Sequence, residues 1–291
     1  MDLRAIFMGL AFALMWSSAF TSARIIVASA PPLMALSLRF LISGLIAVVI
    51  ARALGQSWRL SRAQWRATIL FGICQNALYL GLNFVAMQTV EASLAAIIAS
   101  TMPLLVALAG WLVFSEKVRP LGVAGLVAGV IGVALIMGAR MQGGVDLFGV
   151  LLCGIGVVSL TVATLAVRGA SSGGNVLMIV GLQMLIGSVA LAILALALEE
   201  PVFTPSWTLL AAFVYTTLVP GLAATVVWFL LVGRIGAVKA ATFHFLNPFF
   251  GVAIAALLLG EKLGPMDIVG VAIIAGGILA VQLSKQHKVE A

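Results

Sequence analysis

Apolar runs of about 20 residues, the length a helix needs to cross a bilayer, recur ten times along this chain with only short connections between them. They predict spans at Ala5–Ala23, Leu33–Ala51, Ala67–Met87, Ala92–Phe114 and Pro120–Met137, then at Leu147–Val167, Val176–Leu196, Leu209–Val232, Val238–Leu259 and Pro265–Leu283. A surface that faces water usually carries about 25% charged residues. This chain of 291 residues has 9%, against 63% hydrophobic. Its surface must face lipid, and the expected fold class is an all-α integral membrane protein. The stretch Met15–Phe20 has no convincing cleavage site, so the first run reads as a retained helix rather than a signal peptide.

The net charge of +7 does not indicate nucleic-acid binding here. Excess Lys and Arg in short loops mark the cytoplasmic side of a membrane protein. With the N-terminus inside, one side collects Arg4, Arg52, Arg59, Arg62, Arg66, Lys117, Arg119, Arg168, Arg234, Lys239, Lys285 and Lys288. The other collects only Arg24, Arg140 and Lys262, beside Glu199 and Glu200. Both termini are therefore expected in the cytoplasm. Cys74 and Cys153 lie inside apolar runs and read as small hydrophobes rather than a disulfide pair.

The chain also repeats itself. Pro103, Glu116, Lys117, Pro120, Gly125 and Gly132 return as Pro248, Glu261, Lys262, Pro265, Gly270 and Gly277, every pair 145 positions apart. Ala92, Ala95 and Ala96 return as Ala237, Ala240 and Ala241 at the same offset. So many matches in register indicate a duplication. It predicts one five-helix repeat over residues 1–140, a second over 145–284, and a cytoplasmic tail over 285–291. Five spans is an odd number, so the second copy must enter the membrane upside down. Inverted repeats are the architecture of alternating-access transporters, whose solute site lies near the midplane.

Trp16-Ser17-Ser18-Ala19-Phe20 and Arg39-Phe40 resemble the drug/metabolite transporter superfamily. So do the twin blocks Ser115-Glu116-Lys117 and Gly260-Glu261-Lys262, each followed by Pro and a Gly-rich helix. The chain is similar over nearly its whole length to the ten-helix EamA-type branch. Within that branch it looks most like the YddG-type aromatic amino-acid exporters. The resemblance implies two inverted repeats forming a basket around a central cavity, with the fifth helix of each repeat outside it.

Polar groups at membrane depth usually face a cavity or another helix. In the third span Asn76, Tyr79 and Asn83 share one face, with Gln75 alongside. They are read as cavity-lining, against helix-to-helix hydrogen bonding as the alternative. Trp16 and Ser17 in the first span, Ser100 in the fourth, Thr225 and Trp228 in the eighth, and Phe243 and His244 in the ninth complete the expected solute site. Pro103, Pro248 and the pair Pro220-Gly221 are expected to act as hinges. Arg39 lies roughly 9 Å inside its helix end at 1.5 Å per residue. It reads as snorkelling or holding helix-end carbonyls, with a solute carboxylate as the other partner. The glycine face of Gly122, Gly125, Gly129 and Gly132 suggests close packing within the chain, a dimer face being the alternative.

All nine acidic residues fall in loops, tails or helix ends. A cation at membrane depth would lack a counter-charge, so a neutral or zwitterionic amphipathic solute fits better. His244 is the one group there whose ordinary pKa of about 6.5 would suit proton coupling. No HExxH, paired intramembrane Asp or phosphate-cradling Gly loop occurs, so neither an enzyme, a metal nor a cofactor is expected. The expectation is an inner-membrane exporter or exchanger of aromatic or bulky neutral amino acids, acting as a monomer, with a dimer as the alternative. Export of a nucleoside, sugar or toxic compound, with or without proton coupling, is the other reading.

Overall fold

The computed structural model describes residues 3–115, 119–166, 173–235 and 240–286. Glu116, Lys117, Arg168, Ala237, Lys239 and Lys288 lie outside them, as do the expected helix ends at Val167 and Val238. Among the described residues there are ten helices long and apolar enough to cross a membrane, and no strand. They are α1 (Leu3–Val27), α2 (Pro32–Ala53), α3 (Arg62–Ala86), α4 (Ala92–Val113), α5 (Pro120–Gln142), α6 (Leu147–Ala166), α7 (Val176–Leu198), α8 (Trp207–Ile235), α9 (Thr242–Leu259) and α10 (Pro265–Ser284).

Several helices outrun their apolar stretches because local chemistry extends them. α3 begins at Arg62 rather than Ala67, started by a capping box. Ser61 Oγ accepts from the Gln64 amide at 3.2 Å, and Gln64 Oε1 accepts from the Ser61 amide at 2.8 Å. α8 starts at Trp207 because Ser206 Oγ caps the Leu209 amide at 3.0 Å. α5 continues past Met137 to Gln142, and its last turn holds Arg140, which pairs with Asp267 at 3.0 Å and with Glu91.

The folded chain divides into two compact units. The first comprises Met1–Thr21, Val90–Val150 and Ala223–Ala291; the second comprises Ser22–Thr89 and Leu151–Leu222. Each unit therefore draws helices from both copies of the duplication.

In the first unit α5 and α10 cross antiparallel through their glycines. A Cβ on Gly125 would stand 2.6 Å from the Gly277 carbonyl, and one on Gly132 would stand 2.9 Å from that of Gly270. Gly125 and Gly270 are 145 positions apart, as are Gly132 and Gly277. The two contacts are thus one contact repeated about a pseudo-twofold, and the glycine face of α5 is spent within the chain. At one end of this unit the Glu261 carboxylate accepts from the Ala92 and Ser93 amides at 2.7 and 2.9 Å, capping α4 where the helix dipole favours an anion.

In the second unit α2 and α7 also run antiparallel. Glu199, after α7, caps the Leu33 and Met34 amides of α2 at 2.8 and 2.9 Å. At the opposite end Gln56 Oε1 accepts from the Met178 amide at 2.9 Å. Midway, Ser37 and Ser188 exchange hydroxyl-to-carbonyl bonds of 2.9 and 2.8 Å. Corresponding helices of the two copies run in opposite directions in both units, which is the geometry of inverted repeats.

The helices are also irregular at matching places. α3 widens to a π-helix over Gly72–Tyr79 and α8 over Thr217–Ala223, with starting points 145 residues apart. α4 is interrupted at Thr101 and restarts at Met102, whereas α9 opens with a 3-10 turn over Thr242–Leu246 and restarts at Asn247. Pro103 and Pro248 each occupy the first turn of the restarted helix, where a missing N–H costs nothing. A left-handed residue follows both α4 and α9, Ser115 at φ 53° and Gly260 at φ 67°. Glycine adopts that conformation freely, whereas serine there costs about 1–2 kcal/mol.

Candidate functional site

The expected site residues divide between the two units. In the first unit the sequence of α1 sets Phe12 and Trp16 one turn apart, so their rings meet at 5.8 Å between centroids. Phe12 also lies 4.7 Å from Trp228 and 5.4 Å from His244. Trp228 and His244 meet edge-to-face at 5.1 Å. Each such pair contributes about 0.5–1.5 kcal/mol beyond its burial. Trp16, Trp228 and His244 are only half-buried, so this aromatic wall keeps accessible surface. Trp58, in the loop between α2 and α3, and Trp207, at the start of α8, are 64% and 86% exposed and suit interface anchors instead.

His244 Nδ1 lies 3.2 Å from the Ala241 carbonyl. A carbonyl only accepts, so Nδ1 carries the proton and Nε2 of the neutral ring is left as an acceptor. Nearby, Ser17 Oγ donates to the Asn247 carbonyl at 3.1 Å, while the buried side-chain oxygen of Asn247 has no hydrogen-bond partner. Thr225 is half-buried on the same helix as Trp228. Phe243 and Ser100 are placed differently. Phe243 is 6% exposed, packed with Ala5, Leu231 and Ala240, and a Cβ on Gly9 would strike its ring at 2.3 Å. The Ser100 hydroxyl returns to the Ala96 carbonyl of its own helix at 2.6 Å. Pro103 and Pro248 mark the helix restarts described above.

In the second unit Asn76, Tyr79 and Asn83 are 2%, 1% and 1% exposed. Asn76 Nδ2 donates to the Gln183 carbonyl on α7 at 2.9 Å, and Asn83 Nδ2 donates to the Tyr79 carbonyl at 2.8 Å. Gly187 and Gly156 make room for them, since a Cβ there would meet Asn76 Cβ at 2.4 Å and Asn83 Nδ2 at 2.7 Å. These side chains thus serve helix-to-helix packing in this conformation. Pro220 and Gly221 lie inside the π segment of α8. Arg39 is 5% exposed, and its Nε has no hydrogen-bond partner. Burial at that level excludes snorkelling to an interface. A charge at membrane depth costs about 2.5–3.5 kcal/mol on insertion scales, and the Arg39 guanidinium carbon lies 5.2 Å from the Phe40 ring centroid. An open recess of about 580 Å³ in this unit is lined by residues such as Ser29, Pro31, Gln88 and Glu200, and none of the expected site residues lines it.

The model of the EamA-like transporter family matches the chain twice, over residues 3–138 and 147–283. The chain belongs to the EamA-like transporter family. This membrane transporter is 29% identical over 282 residues to the uncharacterized transporter YvbV of Bacillus subtilis, covering 96% of this chain and 92% of that protein. It is 27% identical to the uncharacterized inner membrane transporter YedA of Escherichia coli K12, with 95% and 90% covered. A solved crystal structure of a protein with 21% identity aligns over all of both chains at a TM-score of 0.71, which is a likeness of fold. The family and its named relatives are transporters rather than enzymes.

Sequence reading of the transporter passed over Phe12, the ring at the centre of the aromatic wall. Its signal was the spacing Phe12-x-x-x-Trp16 on one helix face. The Glu199 and Glu261 caps were legible only as helix-end acids, because nothing in the sequence says which helix end they meet.

Proposed function

We propose that the transporter exports or exchanges neutral or zwitterionic amphipathic metabolites by alternating access, with aromatic and bulky neutral amino acids as the first class. The observation that supports this reading is the wall of Phe12, Trp16, Trp228 and His244, which offers rings and a neutral acceptor but no carboxylate. The ring of the solute stacks on Trp228 and Trp16. Its ammonium group is held by acceptors, His244 Nε2 and the unpartnered oxygen of Asn247, and by the aromatic faces through cation–π attraction. Asn76, Tyr79 and Asn83 hold α3 against its neighbours within the second unit. The residues 1–140 and 145–284 act as the two inverted repeats, and both termini face the cytoplasm of a cell whose inner membrane holds the protein, as YedA's name states for that relative.

The test is uptake in liposomes by purified protein, with labelled phenylalanine competed by aromatic amino acids, alanine and a quaternary ammonium drug. Phenylalanine and tryptophan should compete best, and Trp228→Ala should reduce their transport at least fivefold while sparing alanine. Better competition by the drug would favour the toxic-compound reading, because aromatic walls also attract ammonium ions. Flux should survive collapse of the proton gradient. A flux that needs the gradient, and loses that need in His244→Gln, would instead make this a proton-coupled exporter.

A further inference from the structure

In the second unit α2 presents Leu38, Leu41 and Leu45 outward, at 49%, 42% and 50% exposure, while Arg39 between them is 5% exposed. The guanidinium is therefore on the side of α2 away from lipid, which removes a phospholipid headgroup as its partner. Among the described residues the ion pairs are those of Arg140, and Arg39 has none. Its Nε is buried without a hydrogen bond. The Phe40 ring lies 5.2 Å from the guanidinium carbon, a contact that consumes none of the N–H groups.

What it faces is the π segment of α8. Gly221 there has no side chain, and a Cβ built on it would stand 3.1 Å from the Thr216 carbonyl and 3.5 Å from both Arg39 Nη2 and Ser43 Oγ. The position 145 residues earlier is Asn76, whose amide fills the corresponding place and is bonded to Gln183. One crossing is thus closed by a neutral amide. The other holds a bare cation opposite a glycine, with the Ser43 hydroxyl alongside at a long 3.5 Å from the Thr217 carbonyl.

We propose that Arg39, with Ser43 and the side-chain-free face of Gly221, is a carboxylate-binding site. A planar carboxylate takes two parallel N–H donors from one edge of a guanidinium, and the Ser43 hydroxyl adds a third donor. A bound carboxylate supplies the counter-charge that the fold withholds from Arg39, and the site selects solutes that carry one. It stands on the geometry around Arg39 and does not depend on the aromatic wall.

Binding to the purified full-length protein in detergent, followed by calorimetry, tests it with phenylacetate, acetate and phenethylamine. Phenylacetate and acetate should bind, and phenethylamine, which lacks the carboxylate, should bind at least tenfold more weakly than phenylacetate. Arg39→Gln should weaken both carboxylates tenfold or more, with Arg39→Lys in between because it keeps charge but loses the paired donors. Should Arg39→Gln fail to fold, Gly221→Ala keeps the charge, sets a methyl group 3.5 Å from the guanidinium and should weaken both carboxylates at least threefold. Equal binding of phenylacetate and phenethylamine, no carboxylate binding by the wild type, or unchanged binding by a folded Arg39→Gln each overturns the proposal. Acetate separates it from the solute reading above. Acetate binding that needs Arg39, without a preference for rings, sinks the aromatic solute and leaves this site standing.

Discussion

The π segments of α3 and α8 occupy the same place in the two copies, and they are packed in opposite ways. In α3 the segment is pinned. A Cβ on Gly72 would reach the Gln183 carbonyl at 2.7 Å, Asn76 donates to that carbonyl, and the Cys74 carbonyl accepts from Ser159 Oγ at 2.9 Å. In α8 the segment contains Pro220, accepts from Ser43 through the Thr217 carbonyl at 3.5 Å, and faces Arg39, whose Nε has no hydrogen-bond partner. A wide turn leaves backbone groups imperfectly bonded, and neighbours can either satisfy them or leave them for a ligand. Duplication preserved the defect in both copies. Divergence then made one a structural joint and left the other beside the unpartnered Nε of Arg39.

The largest expected effect tests the sign of that difference. Arg39→Met removes a buried charge without a partner and should raise the stability of the ligand-free protein by about 2 kcal/mol. Asn76→Ala removes a satisfied bond and should lower it by about 1 kcal/mol. Thermal midpoints in detergent, read without solute, compare the two. Equal destabilisation by both would make Arg39 a structural clamp like Asn76.

Next in size is a comparison of space. Gly72→Val forces a branched side chain into backbone 2.7 Å away and should cost about 1–3 kcal/mol. Gly221→Ala should cost less than half as much, because its nearest contact is the Thr216 carbonyl at 3.1 Å and the next is a side-chain end. The same thermal midpoints decide it, and an equal loss at the two positions would mean both segments are packed alike.

The sequence made the fold legible through length, hydropathy and the constant offset between Pro103 and Pro248 or Gly125 and Gly270. Those signals are local or repeat in register, so they survive without coordinates. The site was legible only in part. Trp16, Trp228 and His244 lie together with Phe12, whereas Asn76, Tyr79 and Asn83 sit on one helix face that meets α7 and α6. Helical periodicity says which residues share a face and never which neighbour that face meets. Arg39 shows the same limit from the other side, since depth along a helix could not separate a snorkelling arginine from an enclosed one.

A smaller effect concerns the two serines that touch the π carbonyls. Ser159→Ala deletes a 2.9 Å bond and should destabilise the protein by about 1 kcal/mol, the usual net value of a hydrogen bond. Ser43→Ala deletes a 3.5 Å contact and should cost less than about 0.5 kcal/mol in the absence of solute. Chemical denaturation of both variants in mixed micelles measures the pair. Matching losses would show that the α8 segment is held as firmly as that of α3.

The smallest expected effect falls on rate. Pro220 cannot donate to the helix ladder, so the α8 segment is missing one of the bonds that would resist bending there. Its counterpart at the same offset is Gln75, which keeps its N–H. Pro220→Ala restores the donor and stiffens the α8 segment toward the behaviour of α3. If bending at α8 limits the transport cycle, exchange of phenylalanine in liposomes should slow about threefold, which is less than 1 kcal/mol on the barrier. Gln75→Ala, which alters neither an N–H nor a proline, should leave the rate alone. An unaltered rate in Pro220→Ala would locate the moving joint elsewhere, at the helix restarts beside Pro103 and Pro248, and would leave the α8 segment with a binding role only.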